Sequence, residues 1–398
     1  MWSFALRTLL ADRGKLATAL VGVVFSVVLV NVQGGLFVGL LRKASLLVDF
    51  GQADVWVGHK RMHNVDFPRD IPQRWLWRIR GVPGVASAES YVVGHSTMTL
   101  PSGAFEQVVV VGSDPATLLG NAWTSGDNSP AADGDTLSLL DPSFYAWTSG
   151  DNSPAAVRRS DGILVDEFES EKLENPRIGD VREIGGRRAK IVGHSRGIVG
   201  FLVTPYVFTT LGRSLQYLGK PPDKCSYFLV KLEPGANAEE VCAAINRCAP
   251  ELDALPRNAY ARKSVNYWLT RTGLGISFGA ATCLGLLVGL IIVAQTLYAS
   301  VLDRLSEFGA LKAIGARERQ IYVVLFFQAS TMALAGAAIG LAFVWAIERG
   351  FATPHAPIVV PWWMSFGSCA LVLAICLGSS LLPYLRIRKV DPMIVLQT

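Results

Sequence analysis

Four long apolar stretches are the feature that most constrains this 398-residue chain. A bilayer core about 30 Å thick requires about 20 apolar residues in an α-helix. Hydrophobic residues make up 51% of the chain and charged residues 17%, which is typical of a membrane protein rather than a soluble one. Each stretch is long enough, and none has a Lys or Arg in its interior. The predicted transmembrane helices are residues 16–41, 273–302, 321–347 and 362–382.

The first stretch could instead be a cleavable signal peptide, because Arg7, Arg13 and Lys15 precede it. Its apolar run is longer than the roughly 7–15 residues of a signal-peptide core. We therefore predict a retained membrane helix.

The distribution of charge predicts the topology. Lys and Arg collect in short loops on the cytoplasmic side of a membrane. Segments 1–15, 303–320 and 383–398 together hold 10 Lys and Arg against 5 Asp and Glu, whereas segment 42–272 holds 26 of each. Both termini are thus predicted to be cytoplasmic, and residues 42–272 to lie outside a bacterial inner membrane. The net charge of +5 then indicates proximity to a lipid surface and no nucleic-acid partner.

The outer segment shows two similar patterns, each of a strand, a helix and a second strand. Short strands predicted between them make a β-rich insertion, so the outer domain is predicted to be α+β. Asn237 is the expected N-cap of the helix in the second pattern. The first pattern comprises 53–58, 71–80 and 88–93, the second 226–232, 238–248 and a segment up to 260, and the insertion strands 105–111, 162–165, 181–184 and 189–192.

The remaining segments are short. Residues 1–15 are predicted to form a cytoplasmic interfacial helix, because Trp2, Leu6 and Leu9 share one helical face. Residues 348–361 form the predicted outer loop between the last two spans, and 383–398 a cytoplasmic tail.

An eleven-residue sequence occurs twice, at 122–132 and again at 146–156. Its Gly, Asp, Asn, Ser and Pro content is typical of loops, which favours a local duplication in an exposed segment. The alternative is a calcium-binding or partner-binding loop built on its acidic and amide oxygens. Those are Asp127, Asn128, Asp151 and Asn152.

The residue types needed for catalysis are poorly represented. No Gly-x4-Gly-Lys-Ser/Thr loop occurs, so we expect no nucleotide to bind this chain. His59 and His63 have metal-ligand spacing without further ligands nearby, and His194-Ser195 lacks the Gly-x-Ser-x-Gly elbow of a nucleophile. The spans lack buried charges for proton or ion coupling. We therefore expect a non-catalytic subunit without a bound metal or cofactor.

Cysteine and glycine positions leave two questions open. Cys225, Cys242 and Cys248 lie in the predicted outer domain, where one disulfide to Cys225 is possible. Spaced glycine pairs in the spans favour close helix approach, equally within one chain or across a homodimer. These pairs are Gly275/Gly279, Gly285/Gly289 and Gly336/Gly340.

The loop 303–320 between the second and third spans carries the most informative pattern. Leu305, Phe308, Leu311 and Ile314 recur at three-residue steps. They predict a short amphipathic helix that docks in the groove of a partner or, alternatively, connects the spans along the bilayer.

This loop resembles the signature of FtsX/MacB-type ABC permeases in the run from Glu307 to Ala316, Glu-Phe-Gly-Ala-Leu-Lys-Ala-Ile-Gly-Ala. The tail Asp391-Pro392 and the arrangement of one plus three spans around a large outer domain are similar to the same family. Further segments resemble the DevC-like subgroup, which is associated with glycolipid export. They are Ala53-Asp54-Val55, Phe67-Pro68-Arg69, Val82–Val85, Tyr267-Trp268 and Gln295–Tyr298.

The resemblance implies a permease homodimer with two cytosolic ABC ATPase subunits, which use ATP and Mg. It also implies a periplasmic adaptor and an outer-membrane channel as partners, and export of a lipid-like or amphiphilic substrate. The residues implied to contact the ATPase are Glu307, Phe308, Gly309, Leu311, Lys312, Ala313 and Gly315.

Three alternatives to this exporter remain open at the level of sequence. One is a mechanotransmitter that activates a cell-wall hydrolase, a second is a lipoprotein-release or drug-efflux permease, and a third is a membrane-anchored sensor or enzyme. The length of 42–272 favours docking of an adaptor over the first. The short cytosolic segments disfavour the third.

Overall fold

The computed structural model describes residues 13–120, 149–150, 157–159, 161–195, 198, 200–201, 204–303, 318–351 and 358–379. The chain divides into two compact units. Residues 1–39 and 275–398 form the helical unit, and residues 40–274 form the sheet domain. Residues 1–12 of the expected interfacial helix lie outside the described residues, and residues 13–15 begin the helix Arg13–Lys43. Nearly all of both copies of the duplicated sequence lie outside the described residues as well.

The helices are α1 (Arg13–Lys43), α2 (Leu46–Asp49), α3 (Trp75–Arg80), α4 (Leu211–Tyr217), α5 (Ala238–Cys248), α6 (Arg257–Arg271), α7 (Leu274–Asp303), α8 (Glu318–Phe351) and α9 (Trp362–Ser379). The strands are β1 (Val55–His59), β2 (Ile71–Pro72), β3 (Val85–Thr99), β4 (Phe105–Ser113), β5 (Ser149–Gly150), β6 (Gly162–Asp166), β7 (Val181–Ile184), β8 (Arg187–Ser195), β9 (Tyr206–Thr210), β10 (Lys224–Cys225), β11 (Tyr227–Leu232) and β12 (Leu252–Pro256).

Two of the described helices are long and apolar enough to cross a membrane. They are Leu16–Lys43 within α1 and Tyr322–Phe351 within α8. A third span results if Leu274–Val288 is counted together with the helix before it, from which it is bent. Trp362–Gly378 is a shorter apolar helix. The described residues thus give two candidate spans, and the arrangement of four spans stays a prediction.

Glycines in the helical unit allow α1 to pack closely against α8. A Cβ added at Gly336 would lie 2.5 Å from Val23 Cγ1, and one added at Gly340 would lie 2.9 Å from Val27 Cβ. Both distances are too short for real carbon contacts. This glycine pair therefore serves packing within one chain.

A polar contact joins α1 to α9. Asn31 is fully buried, and its Nδ2 donates to Ser368 Oγ at 2.8 Å and to the Val27 carbonyl at 2.8 Å. Between apolar helices such an interhelical hydrogen bond stabilises by about 0.6 kcal/mol on average.

We expect Gly336→Ala to destabilise the helical unit by about 1–3 kcal/mol, because the added methyl group overpacks the contact with Val23. Thermal unfolding of the full chain in detergent measures the change. Gly279→Ala is the matched control, since a Cβ at Gly279 has no atom within 4 Å. Equal melting temperatures for the two variants would contradict this packing.

One ten-stranded sheet organises the sheet domain, in the order β12-β1-β11-β3-β4-β9-β6-β8-β5, with β7 paired to β3 and β8. The first four strands contain two β-α-β units. In β1-α3-β3 the partner strand β11 lies between the two strands, and in β11-α5-β12 strand β1 does. The two predicted units are therefore present and interlocked, in the ferredoxin-like arrangement of split β-α-β units.

The fifteen-residue strand β3 connects this half of the sheet to the insertion. Its first part pairs with β11, its second part with β4, and its last two residues also with β7. The insertion strands consequently extend the same sheet.

Side chains alternate between two apolar layers in this sheet, as strand geometry requires. Val55 and Val57 of β1 face the layer covered by α3 and α5. Trp56 faces the opposite layer, where Tyr91, Tyr227 and Tyr260 surround it with ring centroids 5.5, 5.5 and 5.8 Å away.

Local predictions in this domain have mixed outcomes. Helix α5 is confirmed, and Asn237 Oδ1 accepts a hydrogen bond from Glu239 N at 3.0 Å as an N-cap. The predicted helix 71–80 is wrong in its first part, because residues 71–72 form β2 and pair with β10. Proline disfavours helical geometry in the residue before it, and α3 begins only at Trp75. The cysteines in this domain are free thiols, and Cys225 and Cys242 are buried.

The two chain segments that flank residues 121–156 are fixed side by side. On the outgoing side, Tyr91 Oη donates to the Gly120 carbonyl at 2.9 Å, and Thr117 Oγ1 donates to Glu89. On the returning side, the Arg158 guanidinium donates to the carbonyls of Pro115 and Ala116. We call these contacts the neck.

Candidate functional site

The predicted ATPase-contact residues lie outside the described part of the chain. Helix α7 ends at Asp303 and α8 begins at Glu318. Glu307, Phe308, Gly309, Leu311, Lys312, Ala313 and Gly315 all fall in the segment between them, and their role stays a prediction.

The residues considered for catalysis have other partners. His59 Nδ1 accepts a hydrogen bond from Arg61 N at 3.1 Å, and the His63 ring stacks on Tyr267. His194 Nε2 lies 2.9 Å from the Pro176 carbonyl. Neighbouring residues of a strand point to opposite faces, and Ser195 Oγ donates to Asp166 instead. Among the described residues no group of three His, Cys, Asp or Glu could hold a metal ion.

A buried carboxylate joins three separate segments of the sheet domain. Asp66 lies in the loop between β1 and β2 and is 6% exposed. Its Oδ1 accepts a hydrogen bond from Tyr206 Oη at 3.0 Å, and its Oδ2 accepts one from Trp268 Nε1 at 3.3 Å. Tyr206 begins β9, and Trp268 belongs to α6. We call these three residues the Asp66 joint.

The loop that carries Asp66 is fixed by its own hydrogen bonds. Tyr227 Oη donates to the Val65 carbonyl at 3.0 Å, and Asn64 Oδ1 accepts from Phe67 N at 3.2 Å. The second contact is the local turn that asparagine favours. The carboxylate of Asp66 is thereby positioned over the aromatic layer around Trp56.

Aromatic rings enclose the joint. Phe201 stacks on Trp268 with the ring centroids 3.8 Å apart. Phe67 lies 6.2 Å from Trp268 and 6.0 Å from His95, and it is 48% exposed. Apolar enclosure of this kind excludes water from a carboxylate.

The residue that follows α1 contacts α6 beside the joint. Ser264 Oγ donates to the Ala44 carbonyl at 2.6 Å and accepts from Val65 N at 3.4 Å. Ala44, Phe201 and Trp268 form one buried cluster with the neighbouring apolar side chains. Helix α6 therefore contacts both the residue that follows α1 and the loop carrying Asp66.

Burial raises the pKa of Asp66 from 3.8 to about 6, and the hydrogen bonds from Tyr206 and Trp268 oppose part of that rise. Burial and the neighbouring Asp66 raise the pKa of Tyr206 well above its ordinary value. Tyr206 is accordingly protonated at neutral pH and serves as a donor.

Sequence reasoning missed Asp66. Two of the segments that carried the family resemblance, Phe67-Pro68-Arg69 and Tyr267-Trp268, meet at this joint. The sequence signal that could have identified the site is that Asp66 directly precedes Phe67-Pro68-Arg69.

Family models match most of the chain. The model of the MacB-like periplasmic core domain matches residues 16–247, more than half of the chain. The model of the FtsX-like permease C-terminal domain matches residues 279–392. These matches define an ABC transporter permease. The chain belongs to the FtsX-like and MacB-like family of these permeases.

Individual relatives agree with this family. An uncharacterised ABC transporter permease of Mycobacterium tuberculosis is 27% identical over 235 residues, which cover 57% of this chain and 60% of that protein. The macrolide export ATP-binding/permease protein MacB of Wolinella succinogenes is 32% identical over 130 residues, or 32% of this chain and 20% of that protein. The chain thus spans less than two thirds of the length of either relative.

Solved structures of periplasmic and extracellular domains give weaker similarity. The periplasmic region of MacB from Actinobacillus actinomycetemcomitans aligns with a TM-score of 0.36 and 6% identity, covering 54% of this chain and 93% of that one. The extracellular domain of the ABC-type transporter YknZ from Gram-positive bacteria aligns with a TM-score of 0.32 and 11% identity, covering 51% and 98%. TM-scores this low do not establish a shared fold, so the family assignment depends on sequence.

Asp66→Asn should remove one component of the pH dependence of stability. Because the folded-state pKa is raised to about 6, the folded protein binds a proton between about pH 6 and pH 4 that the unfolded chain does not. Wild-type stability should therefore rise, relative to the variant, by up to about 3 kcal/mol as the pH falls from about 7 to 4, at about 1.36 kcal/mol per pKa unit.

Chemical unfolding of the full chain in detergent across this pH range measures the difference. Asp70→Asn is the control, because Asp70 lies in the same loop and its carboxylate pairs with Lys220 Nζ at 2.7 Å. Parallel pH profiles for wild type and Asp66→Asn would show that Asp66 does not titrate in this window.

Proposed function

We propose that this chain is the permease subunit of an ABC-type export complex. A separate ATPase hydrolyses ATP, and the permease couples that hydrolysis to movement of its sheet domain. The observation that carries the proposal is the order of parts in the family match. A MacB-like domain is followed by an FtsX-like permease domain, and the sequence has no nucleotide-binding loop.

The geometry of the sheet domain supports this coupling. The domain is inserted in sequence between α1 and α7. Its two connecting segments, the residues that follow α1 and helix α6, are hydrogen-bonded to each other through Ala44 and Ser264. Both connecting segments therefore meet within the sheet domain, beside the Asp66 joint.

The topology in this proposal has four spans with both termini in the cytoplasm. The cationic segments 1–15, 303–320 and 383–398 support it through the positive-inside rule. The sheet domain is then outside the bacterial inner membrane. The segment 304–317 faces the ATPase, with Glu307, Phe308, Gly309, Leu311, Lys312, Ala313 and Gly315 as the contact residues.

The complex in this proposal contains two copies of this chain and two ATPase subunits, with a periplasmic adaptor and an outer-membrane channel beyond them. The cargo is lipid-like or amphiphilic, as in DevC-like exporters. The five segments that resemble that subgroup support this cargo class. Two of them, Phe67-Pro68-Arg69 and Tyr267-Trp268, contact each other through the rings of Phe67 and Trp268.

Gly309→Leu, Gly315→Leu and Glu307→Lys should each reduce permease-stimulated ATPase activity at least about fivefold, the lower end of typical coupling between sites. Bulk or a reversed charge at the contact prevents docking while the membrane helices still form. ATP hydrolysis by the purified complex measures the effect.

Gly350→Leu and Glu348→Lys are matched controls, because they make the same changes at the opposite end of α8. A Cβ at Gly350 meets no atom within 4 Å. Unchanged stimulation in the first set of variants would remove these residues from the contact.

Affinity capture of the full chain from its native membrane in mild detergent should recover an ATPase with Walker motifs and an adaptor, identified by mass spectrometry. A cell-wall hydrolase in place of the adaptor would favour the mechanotransmitter. Recovery without any ATPase would contradict the proposed function, provided that a tag on either terminus gives the same result.

A further inference from the structure

The Asp66 joint uses a property that belongs to a carboxylate alone. Its two oxygens accept from two donors on different elements, Tyr206 of β9 on one side and Trp268 of α6 on the other. A side-chain amide offers one acceptor and one donor. Trp268 Nε1 can only donate, so it takes the one acceptor, and the Tyr206 hydroxyl loses its ionised acceptor and meets a neutral N–H donor instead. Hydrogen bonds to an ionised acceptor are also stronger than neutral ones.

The two hydrogen bonds of the Asp66 joint connect the sheet to the helix that precedes α7. Along the chain, only Thr272 and Gly273 separate α6 from α7. Strand β9 lies inside the sheet, paired with β4 and β6. Asp66 is therefore placed between the segment that leaves the sheet domain and the sheet itself.

We propose, on the basis of the proposed function, that ionised Asp66 is the positioning residue that transmits displacement of α6 to β9, and that protonation of Asp66 releases this connection. The connection runs from the Trp268 indole through the carboxylate to the Tyr206 hydroxyl. The sheet domain of this permease thus responds to the acidity of the compartment that it faces.

The surroundings of the carboxylate set the pH range. Tyr206 and Trp268 donate to it, and the Tyr227 hydroxyl on β11 faces it as a further titratable group. With a pKa of about 6, Asp66 is mostly ionised above pH 7, and about one tenth of it is ionised one pH unit below the pKa.

Two histidines lie against rings next to the joint. The His63 ring stacks on Tyr267, and the His95 ring is tilted by 36° against Phe67. Histidine ordinarily changes charge between pH 5 and 8. The variants His63→Gln and His95→Gln therefore separate their contribution from that of Asp66.

The experiment is hydrogen–deuterium exchange of the full permease with its ATPase in nanodiscs, with and without a non-hydrolysable ATP analogue. In wild type near pH 7.5, the analogue should change exchange in residues 257–271 and in residues 204–210. Near pH 5 the change in 204–210 should fall to about one tenth, following the ionised fraction, while the change in 257–271 persists. The histidine variants should keep this pH response.

Asp66→Asn should lose the nucleotide-dependent change in 204–210 at both pH values and keep the change in 257–271. Asp70→Asn should behave as wild type. Trp268→Phe keeps the stacked ring and removes the donor. It should show the same loss in 204–210, and it is the test if Asp66→Asn does not fold.

The outcomes separate the two proposals. A wild-type response in 204–210 that survives Asp66→Asn or Trp268→Phe overturns the role of Asp66 and leaves the exporter assignment standing. A response that is absent from 257–271 in wild type, despite bound ATPase, overturns both. A pH response that disappears in the histidine variants assigns the acid sensitivity to histidine and overturns the proton-dependent part.

Discussion

The hydrogen-bond ladder along β3 is the interaction on which the rest of the sheet domain depends. One strand pairs Tyr91 with Tyr227 of β11 in its first part and Val92 with Gly112 of β4 immediately after. A slip by one residue would move every side chain of a strand to the other face. The register of β3 therefore fixes Tyr227 in the aromatic layer, and the Tyr227 hydroxyl in turn binds the loop that carries Asp66.

The Asp66 joint is a polar connection within an apolar layer, and its chemistry explains why an acid suits the position. Burying a carboxylate costs free energy, and functional sites are where proteins commonly retain such costs. Here the two donors come from elements with different attachments, one to the sheet and one to the segment before α7. A carboxylate between them makes their relative position depend on its charge, whereas an apolar contact would not.

The sequence permits much of this architecture to be predicted, but not the joint. Helix α5 and strand β7 follow from local periodicity and capping, and their bounds agree with those predicted. The family follows from a contiguous motif after the second apolar stretch. Asp66, in contrast, meets partners 140 and 202 residues away along the chain, and no local pattern encodes such contacts. The continuation of the sheet through β3 into the insertion depends on strand pairings of the same long-range kind, and β2 was missed because Pro72 overrides an apolar helical pattern.

The neck has a consequence for how this protein can evolve. Arg158 binds the carbonyls of Pro115 and Ala116, so the chain on the two sides of residues 121–156 is held together at the neck. Within that interval, the described residues Ser149 and Gly150 pair with β8. The entropy of closing a loop grows only with the logarithm of its length, by about 0.6 kcal/mol for each doubling. A tandem copy inserted there leaves the ladder of β3 and the Asp66 joint untouched. The repeated eleven-residue sequence lies in this segment, where the chain tolerates growth at little thermodynamic cost and where new surface can arise without a new fold.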